Sequence, residues 1–166
     1  MSISDTDNQD FVSGYDQTSY VPWTSVVSRR GDITAFTNWP LTSAMTNQRG
    51  QIYVKSPGVY LINGFVQFKN VTAEIAGMNV FATVNRGVMT NASNIDPVKD
   101  GGVPFTFCLF VSELDINSED TAIGKTKGTA ALSVAASYDK GSTSLNTLKL
   151  VSDDARYVWC MVTHLG

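Results

Sequence analysis

Two predicted β-strands meet at a tight corner in the stretch Gly50-Gln-Ile-Tyr-Val-Lys-Ser-Pro-Gly-Val-Tyr-Leu-Ile-Asn-Gly-Phe-Val-Gln-Phe-Lys-Asn70. The second strand begins near Val59 and is largely apolar on both of its faces. One face would carry Tyr60, Ile62, Val66 and Phe68, and the other Val59, Leu61 and Phe65. An antiparallel strand with one face in water alternates apolar and polar residues, so we expect this strand to be covered twice. In a small all-β protein the simplest second cover is another copy of the chain.

The length and composition of the chain favour a single all-β domain. Its 166 residues suffice for one full hydrophobic core, and only 16% of them are charged. Polar turn signals separate apolar runs, which predict strands over 22–27, 33–39, 50–55, 58–69, 78–85, 103–112, 129–138, 144–151 and 156–165. Eight or nine short strands of this kind predict a single jelly-roll β-sandwich.

The N-terminal segment differs in character from the rest of the chain. We predict a polar, acidic arm over residues 1–20 and a jelly-roll domain over 21–166. The arm cannot bury enough apolar surface to offset the entropy of ordering it, so we expect it to order only against a partner. Its predicted docking residues are Asp5, Asp7, Asp10 and Phe11.

The charge distribution argues against two classes of partner. The formal net charge is −3, and the arm holds four Asp with no Lys or Arg, so the remaining residues sum to +1. A nearly neutral body lacks the clustered Lys and Arg that hold phosphates, and we therefore expect no nucleic acid binding. No segment approaches the roughly 20 apolar residues of a membrane span, so we expect no membrane insertion.

The last predicted strand, over 156–165, repeats the pattern of the strand after Val59. Tyr157, Trp159, Met161 and Leu165 fall on one face, and Val158, Cys160 and Val162 on the other. Two such strands side by side would expose a broad apolar patch in a monomer, and patches of that kind mark interfaces. The predicted interface residues are Tyr60, Ile62, Phe65, Phe68, Tyr157, Trp159 and Met161.

These residues also carry a resemblance to a known family. The order Gly50, Tyr53, Ser56-Pro-Gly-Val-Tyr60, Phe65 and Phe68 resembles the sequence signature of the C1q and tumour-necrosis-factor-like jelly rolls. The segments 80–87 and 157–166 are similar to that family's strand ending in a polar turn and to its aromatic final strand. The resemblance implies a ten-stranded jelly roll that assembles as a homotrimer through aromatic and aliphatic side chains near the three-fold axis.

Two departures from the animal members of that family shift the expected function. The Leu-x-x-Gly-Asp-x-Val element is absent, and 143–150 stands roughly in its place. A head with a short polar arm and no collagen-like stalk is similar to the spikes, fibre heads and decoration proteins of viruses and bacteriophages. The resemblance therefore implies a non-enzymatic structural protein of the virion surface, a homotrimer that contacts a capsid or virion protein through its arm.

A second function remains open at this stage. Two longer stretches, 86–102 and 115–128, are predicted as loops, and long loops on a rigid sandwich commonly carry recognition. The candidate recognition residues are Asn91, Asn94, Asp96 and Asp100. The alternative is a secreted, extracellular C1q/TNF-like module that binds a host receptor or a glycan, for which the aromatic residues Trp23 and Trp39 would offer stacking surfaces.

Residues suited to catalysis or metal binding are scarce. His164 is the only histidine, which leaves little material for a Ser-His-Asp or Cys-His arrangement, so we predict no catalytic residue. Asp115, Asn117 and Glu119 would share one side of an extended chain and form a weak calcium candidate, and no other metal or cofactor is expected. Cys108 and Cys160 both fall within predicted strands, where we expect buried thiols.

Overall fold

A computed structural model describes residues 10–11, 19–21, 33–35, 51–69, 75–87, 90–95, 102–121, 125–140, 148–150 and 158–166. These residues form two antiparallel β-sheets and one short helix, which confirms the predicted all-β class. The strands are β1 (Asp10–Phe11), β2 (Ser19–Tyr20), β3 (Ile33–Ala35), β4 (Gln51–Val54), β5 (Gly58–Lys69), β6 (Ile75–Val84), β7 (Thr90–Ile95), β8 (Gly102–Val111), β9 (Ala130–Lys140), β10 (Leu148–Leu150) and β11 (Val158–His164), and the helix is α1 (Glu113–Asn117).

The strands divide between the sheets in a nested order. In the first sheet, β5 pairs with β8, β10 and β11, and β1 pairs with β10. In the second sheet, β9 pairs with β2, β4 and β6. The strands β3 and β7 extend that second sheet by pairing with β4 and β6. The pair β6·β7 is enclosed along the chain by β5·β8, then by β4·β9, and finally by β1·β10. The chain therefore crosses from one sheet to the other before and after β5 and β8.

One hydrophobic core fills the space between the two sheets. Strand β8 shows most clearly how the sequence forms this core, because the residues of β8 alternate strictly between exposed and buried over the whole of Gly102–Val111. Its buried rings Phe105 and Phe107 stack at 5.5 Å between centroids. The core cluster joins β5 and β8 to β6 and β9 through Tyr60, Ile62, Val66, Val103, Phe105, Phe107, Leu109, Val80, Ala82, Leu132 and Val134.

The Ser56-Pro-Gly58 corner is held by the end of the chain. Gly58 has φ +139°, and a Cβ there would lie 2.5 Å from Nε2 of His164, so the position requires glycine. The Tyr60 hydroxyl donates to the carbonyl of Ser56 at 2.7 Å, and the Tyr60 and His164 rings stack at 4.5 Å. The single histidine thus packs structurally at the end of β11, beside the backbone bond from Val59 N–H to the Gly166 carbonyl.

The N-terminal segment is ordered in part against its own chain. Asp10 and Phe11 form β1 opposite Lys149 and Leu148, and β2 pairs with β9. The expectation that this segment orders only against a partner is therefore wrong at these four residues. Backbone pairing does not depend on side-chain polarity, and it satisfies N–H and C=O groups at the free side of a strand. Asp5 and Asp7 lie outside the described residues, and the docking role of the arm stays a prediction.

The two predicted long loops contain secondary structure. Strand β7 occupies the middle of 86–102, so Asn91 and Asn94 lie in a strand paired with β6 and not in a loop. Asp96 and Asp100 lie outside the described residues. The helix α1 occupies the start of 115–128. The strand β7 and the helix α1 were both hard to predict for the same reason. Polar residues give weak local signals for strands and helices, yet they can still pair with a distant strand or cap the end of a helix.

Candidate assembly surface

The outward side of β5, β8 and β11 forms one surface, which we call the open face. Its side chains are Val59, Leu61, Asn63, Phe65 and Gln67 of β5, Gly102, Pro104, Thr106, Cys108 and Phe110 of β8, and Trp159, Met161, Thr163 and the following Leu165. The strand register arranges twelve of these positions in four rows: Pro104–Phe65–Trp159, Thr106–Asn63–Met161, Cys108–Leu61–Thr163 and Phe110–Val59–Leu165. The remaining pair, Gln67 and Gly102, lies beyond the Phe65 row. Two apolar rows thus flank two rows that contain hydroxyl and amide groups, and the Gln67 amide lies past one of the apolar rows.

The β8 and β11 positions of the open face are exposed, those of β5 are half-buried, and none of them carries a charge. Phe110, Leu165 and Met161 are 69%, 58% and 53% exposed, and Trp159 is 38% exposed. None of the positions of the open face is Asp, Glu, Lys or Arg, although 16% of the chain is charged. Depletion of charge together with exposed aromatic and Met side chains is the composition of the centre of a protein interface. The surface is therefore suited to being covered by protein.

The outer side of the second sheet is different, because it is already buried within the chain. Its outward residues on β4, β6 and β9 include Gln51, Phe81, Thr83, Ala131, Ser133 and Ala135, each at most 2% exposed. The two outer faces of the molecule are thus unequal, and among the described strands only the first sheet presents a broad bare side. Any partner that binds a sheet face would bind the first sheet.

Two glycines shape the open face: Gly64 lies beneath it, and Gly102 lies within it. A Cβ on Gly64 would lie 2.3 Å from the carbonyl oxygen of Trp159 and 2.6 Å from the Phe105 ring, so the missing side chain lets β11 and Phe105 approach β5. A Cβ on Gly102 would lie 1.8 Å from the ring of Phe65. The Phe65 ring therefore lies over Gly102 along the surface, between Pro104 and Trp159 in its row.

The predicted interface residues are divided by the structure. Tyr60 and Ile62 are only 2% and 0% exposed and lie in the core, so their assignment to an interface is wrong. The cause is the two-residue period of a strand, which places even-numbered residues of β5 inward and odd-numbered ones outward. Phe65, Trp159 and Met161 lie together on the open face. The side chain of Phe68 and the whole of Tyr157 fall outside the described part of the chain.

Sequence reasoning missed the contribution of β8. The open face includes Pro104, Cys108 and Phe110 because β8 pairs with β5 over ten residues. A local sequence pattern does not predict which strands pair. A partial signal was present in the sequence. The alternation Val103, Phe105, Phe107, Leu109 and Val111 defines an inward face, which leaves the apolar Phe110 pointing outward and 69% exposed.

The two cysteines have opposite environments. Cys160 is 3% exposed in the core, as predicted, and both thiols are free. Cys108 is exposed on the open face, so its predicted burial is wrong. Residues of β8 alternate between exposed and buried, and Cys108 occupies one of the exposed positions. Burial raises the pKa of the Cys160 thiol from 9.0 to about 12, because desolvation disfavours the thiolate.

Burial of Cys160 predicts a loss of stability at alkaline pH. Because the folded-state pKa of about 12 exceeds the unfolded value of 9.0, the unfolded chain releases this proton first. The contribution to the free energy of unfolding is constant below pH 9 and falls above it, by up to about 1.4 kcal/mol per pH unit. Denaturant unfolding of the wild type and of Cys160→Ala from pH 7 to 11 measures the difference. A constant difference in stability across that range would contradict the prediction.

The calcium candidate is not an extended ligand series. Residues Glu113–Asn117 form α1, in which Asp115 completes a capping box: its carboxylate accepts from the Ser112 N–H at 2.9 Å, and its own N–H donates to the Ser112 hydroxyl at 3.2 Å. Residues two apart in a helix do not face each other, so Asp115 and Asn117 do not share the side that the calcium prediction required. No group of three or more His, Cys, Asp or Glu side chains that could hold a metal ion occurs among the described residues. The calcium prediction is therefore wrong in its geometry.

The loop after α1 is closed by a buried lysine. Lys125 is 1% exposed, and its Nζ donates to the backbone carbonyl of Ser118 and, at 3.0 Å, to the Ser118 hydroxyl. Burial lowers the pKa of Lys125, and the nearby carboxylates, Asp115 foremost, oppose that shift. Paired backbone bonds between Asp120 and Lys125 complete the turn. This part of the predicted recognition loop is thus internally bonded.

Comparisons with known proteins add no identity. No model of a known protein family matches the chain, and no curated protein matches it. Among the helices of the described ranges, none is long and apolar enough to span a membrane.

Proposed function

We propose that this chain is a non-enzymatic structural protein that assembles through its open face into a homotrimer. We further propose that the trimer serves as a decoration protein or spike head on the surface of a virus or bacteriophage particle. The observation that carries the proposal is the inequality of the two sheets: the second is closed on both sides, whereas the first presents exposed aromatic and aliphatic side chains with no charge among them.

The size of the open face supports assembly. Four rows spaced by two residues on three strands about 4.8 Å apart cover roughly 400 Å². An uncharged patch of that size, with apolar rows on either side of its polar ones, is commonly an interaction site when a monomer exposes it. Apolar burial contributes about 25 cal/mol per Å², so covering this surface can offset the cost of holding copies together.

The topology supports the jelly-roll part of the proposal. In a jelly roll a long antiparallel hairpin folds over itself, so that its strand pairs are nested and its strands are shared between two sheets. The pairs β6·β7, β5·β8, β4·β9 and β1·β10 have this order. The number of copies and the particle rest on the resemblance to trimeric C1q and TNF-like heads.

Cys108 offers a direct test of the covered surface. In the assembled protein we expect Cys108 to react with a thiol reagent at least tenfold more slowly than in a dissociated sample, because it lies within the open face. Cys160 is buried in either state and serves as the internal control. Labelling kinetics would be measured on Cys160→Ala and Cys108→Ala variants, alongside sedimentation velocity.

Two results would overturn parts of the proposal. A monomer at micromolar concentration, with rapid labelling of Cys108, would remove the assembly role. A stable trimer that binds defined glycans on an array and never co-purifies with particles would favour the receptor- or glycan-binding alternative. Co-purification with particles and no signal on the array supports the decoration role.

A further inference from the structure

Three polar side chains form a buried row across the outer side of the second sheet. Gln51 of β4 lies opposite Ser133 of β9, and Ser133 lies opposite Thr83 of β6. All three are at most 1% exposed. The Gln51 side-chain carbonyl accepts from the Tyr53 hydroxyl at 2.5 Å. The row lies far outside the proposed open face, on the opposite side of the core.

The two hydroxyls of this row lack a hydrogen-bond partner within the described part of the chain. Thr83 Oγ1 and Ser133 Oγ are fully buried, and neither has a hydrogen-bond partner among the residues the structure describes. A buried polar group without a partner destabilises the folded state, and native proteins retain few of them. Two unpaired hydroxyls on directly facing residues therefore indicate a site for a ligand that bonds to both of them.

The surroundings define what that ligand can be. Directly facing residues on adjacent antiparallel strands have Cβ atoms about 4.5–5.5 Å apart, which leaves the two oxygens within reach of one small bridging molecule. Ala131 and Ala135 flank Ser133 on the same side of β9 and contribute only methyl groups. The row is uncharged, which favours a neutral ligand, and its burial limits the size of that ligand.

We propose that Thr83 and Ser133 bind an internal water molecule. A water donates two hydrogen bonds and accepts two, so it can satisfy both hydroxyls at once and still bond to a neighbouring backbone group. Such a water joins β6 to β9 through side chains, in addition to the backbone ladder. The proposal is independent of trimer formation, since it concerns the opposite side of the core.

Two experiments test the site. A crystal structure of the wild-type protein should show a water within hydrogen-bond distance of both oxygens; direct bonds from both hydroxyls to protein atoms would overturn the proposal. The second is thermal unfolding of Thr83→Val, Ser133→Ala and the double variant, with Thr83→Ser as the control that keeps the hydroxyl.

The direction in which Thr83→Val changes the unfolding midpoint shows whether the row of Gln51, Ser133 and Thr83 holds a water (a hydrated row) or not (a dry row). With a bound water, Thr83→Val removes a hydrogen bond, and the unfolding midpoint should fall by about 2–4 °C. The double variant should then lose less than the sum of the single losses, because the water leaves once either hydroxyl is gone. In a dry row, Thr83→Val removes an unsatisfied group and raises the midpoint, which would overturn the proposal. If Thr83→Val does not fold, the wild-type crystal structure decides.

Discussion

Met161→Glu is expected to dissociate the assembly while leaving the fold intact. Met161 lies on β11, beside Asn63 in one of the two inner rows of the open face, and is 53% exposed in the single chain, so a glutamate there remains solvated in the monomer. In the assembly the same carboxylate would be buried without a partner, at a cost of about 3–5 kcal/mol. The dissociation constant should therefore rise by about two to three and a half orders of magnitude. Sedimentation velocity over a concentration series measures it.

The matched control places the same charge outside the open face. Thr126 is exposed in the turn before β9, and Thr126→Glu should assemble like the wild type. Near-ultraviolet circular dichroism of both variants checks that the core is unchanged. If Met161→Glu assembles as tightly as the control, the contact between copies lies elsewhere and the open face is not the interface.

Gly64→Ala is expected to destabilise the folded chain by about 3 kcal/mol, the upper end of the usual range for overpacking. The added methyl would lie 2.3 Å from the Trp159 carbonyl oxygen and 2.9 Å from the Cys160 Cα, both backbone atoms of β11. Backbone cannot move aside as a side chain can, so β5 and β11 must separate. The unfolding midpoint should fall by roughly 6–12 °C in differential scanning calorimetry.

Gly87→Ala is the matched control for that substitution. Gly87 is exposed, and its nearest neighbour to an added Cβ is the Val84 carbonyl oxygen at 3.2 Å. We expect the free energy of unfolding to change by less than about 1 kcal/mol, since Gly87 is on the surface and does not itself have a positive φ, unlike Asn85 and Arg86 in the same turn. Equal losses for the two variants would show that the close approach of β11 to Gly64 does not limit stability.

Much of the fold was predictable because its signals are local. The corner at Ser56-Pro-Gly58 and the strands β5, β8, β9 and β11 lie where turn residues and apolar runs placed them, within a few residues. The helix α1 also had a local signal that went unused. Ser112 and Asp115 stand three residues apart before the apolar Ile116, which is the spacing of a capping box.

Other elements had no adequate local signal. Strand β7, Thr90–Ile95, is mostly polar and is recognised only through its pairing with β6. The short strands β1 and β2 lie in sequence that favours disorder, yet they pair with β10 and β9. In each case the backbone hydrogen bonds come from a strand far away in sequence, and composition does not report them.

The candidate surface was only half predictable for the same reason. The pattern after Val59 correctly separated the two faces of β5, but it could not say which of them the chain covers itself. Tyr60 and Ile62 were assigned to a partner and lie in the core, whereas Val59 and Leu61 lie on the open face. The neighbours Cys108 and Phe110 join that surface only because β8 pairs with β5.

The amino-acid sequence by itself determined that β5 and β11 are apolar on two sides, because side-chain alternation depends only on the two-residue period of a strand. The tertiary structure decided which side faces the core, since that depends on which strands pair and where the second sheet packs. It also decided that the second sheet is closed on both sides and the first on one. Burial is a property of distant segments brought together, and a local pattern cannot encode it.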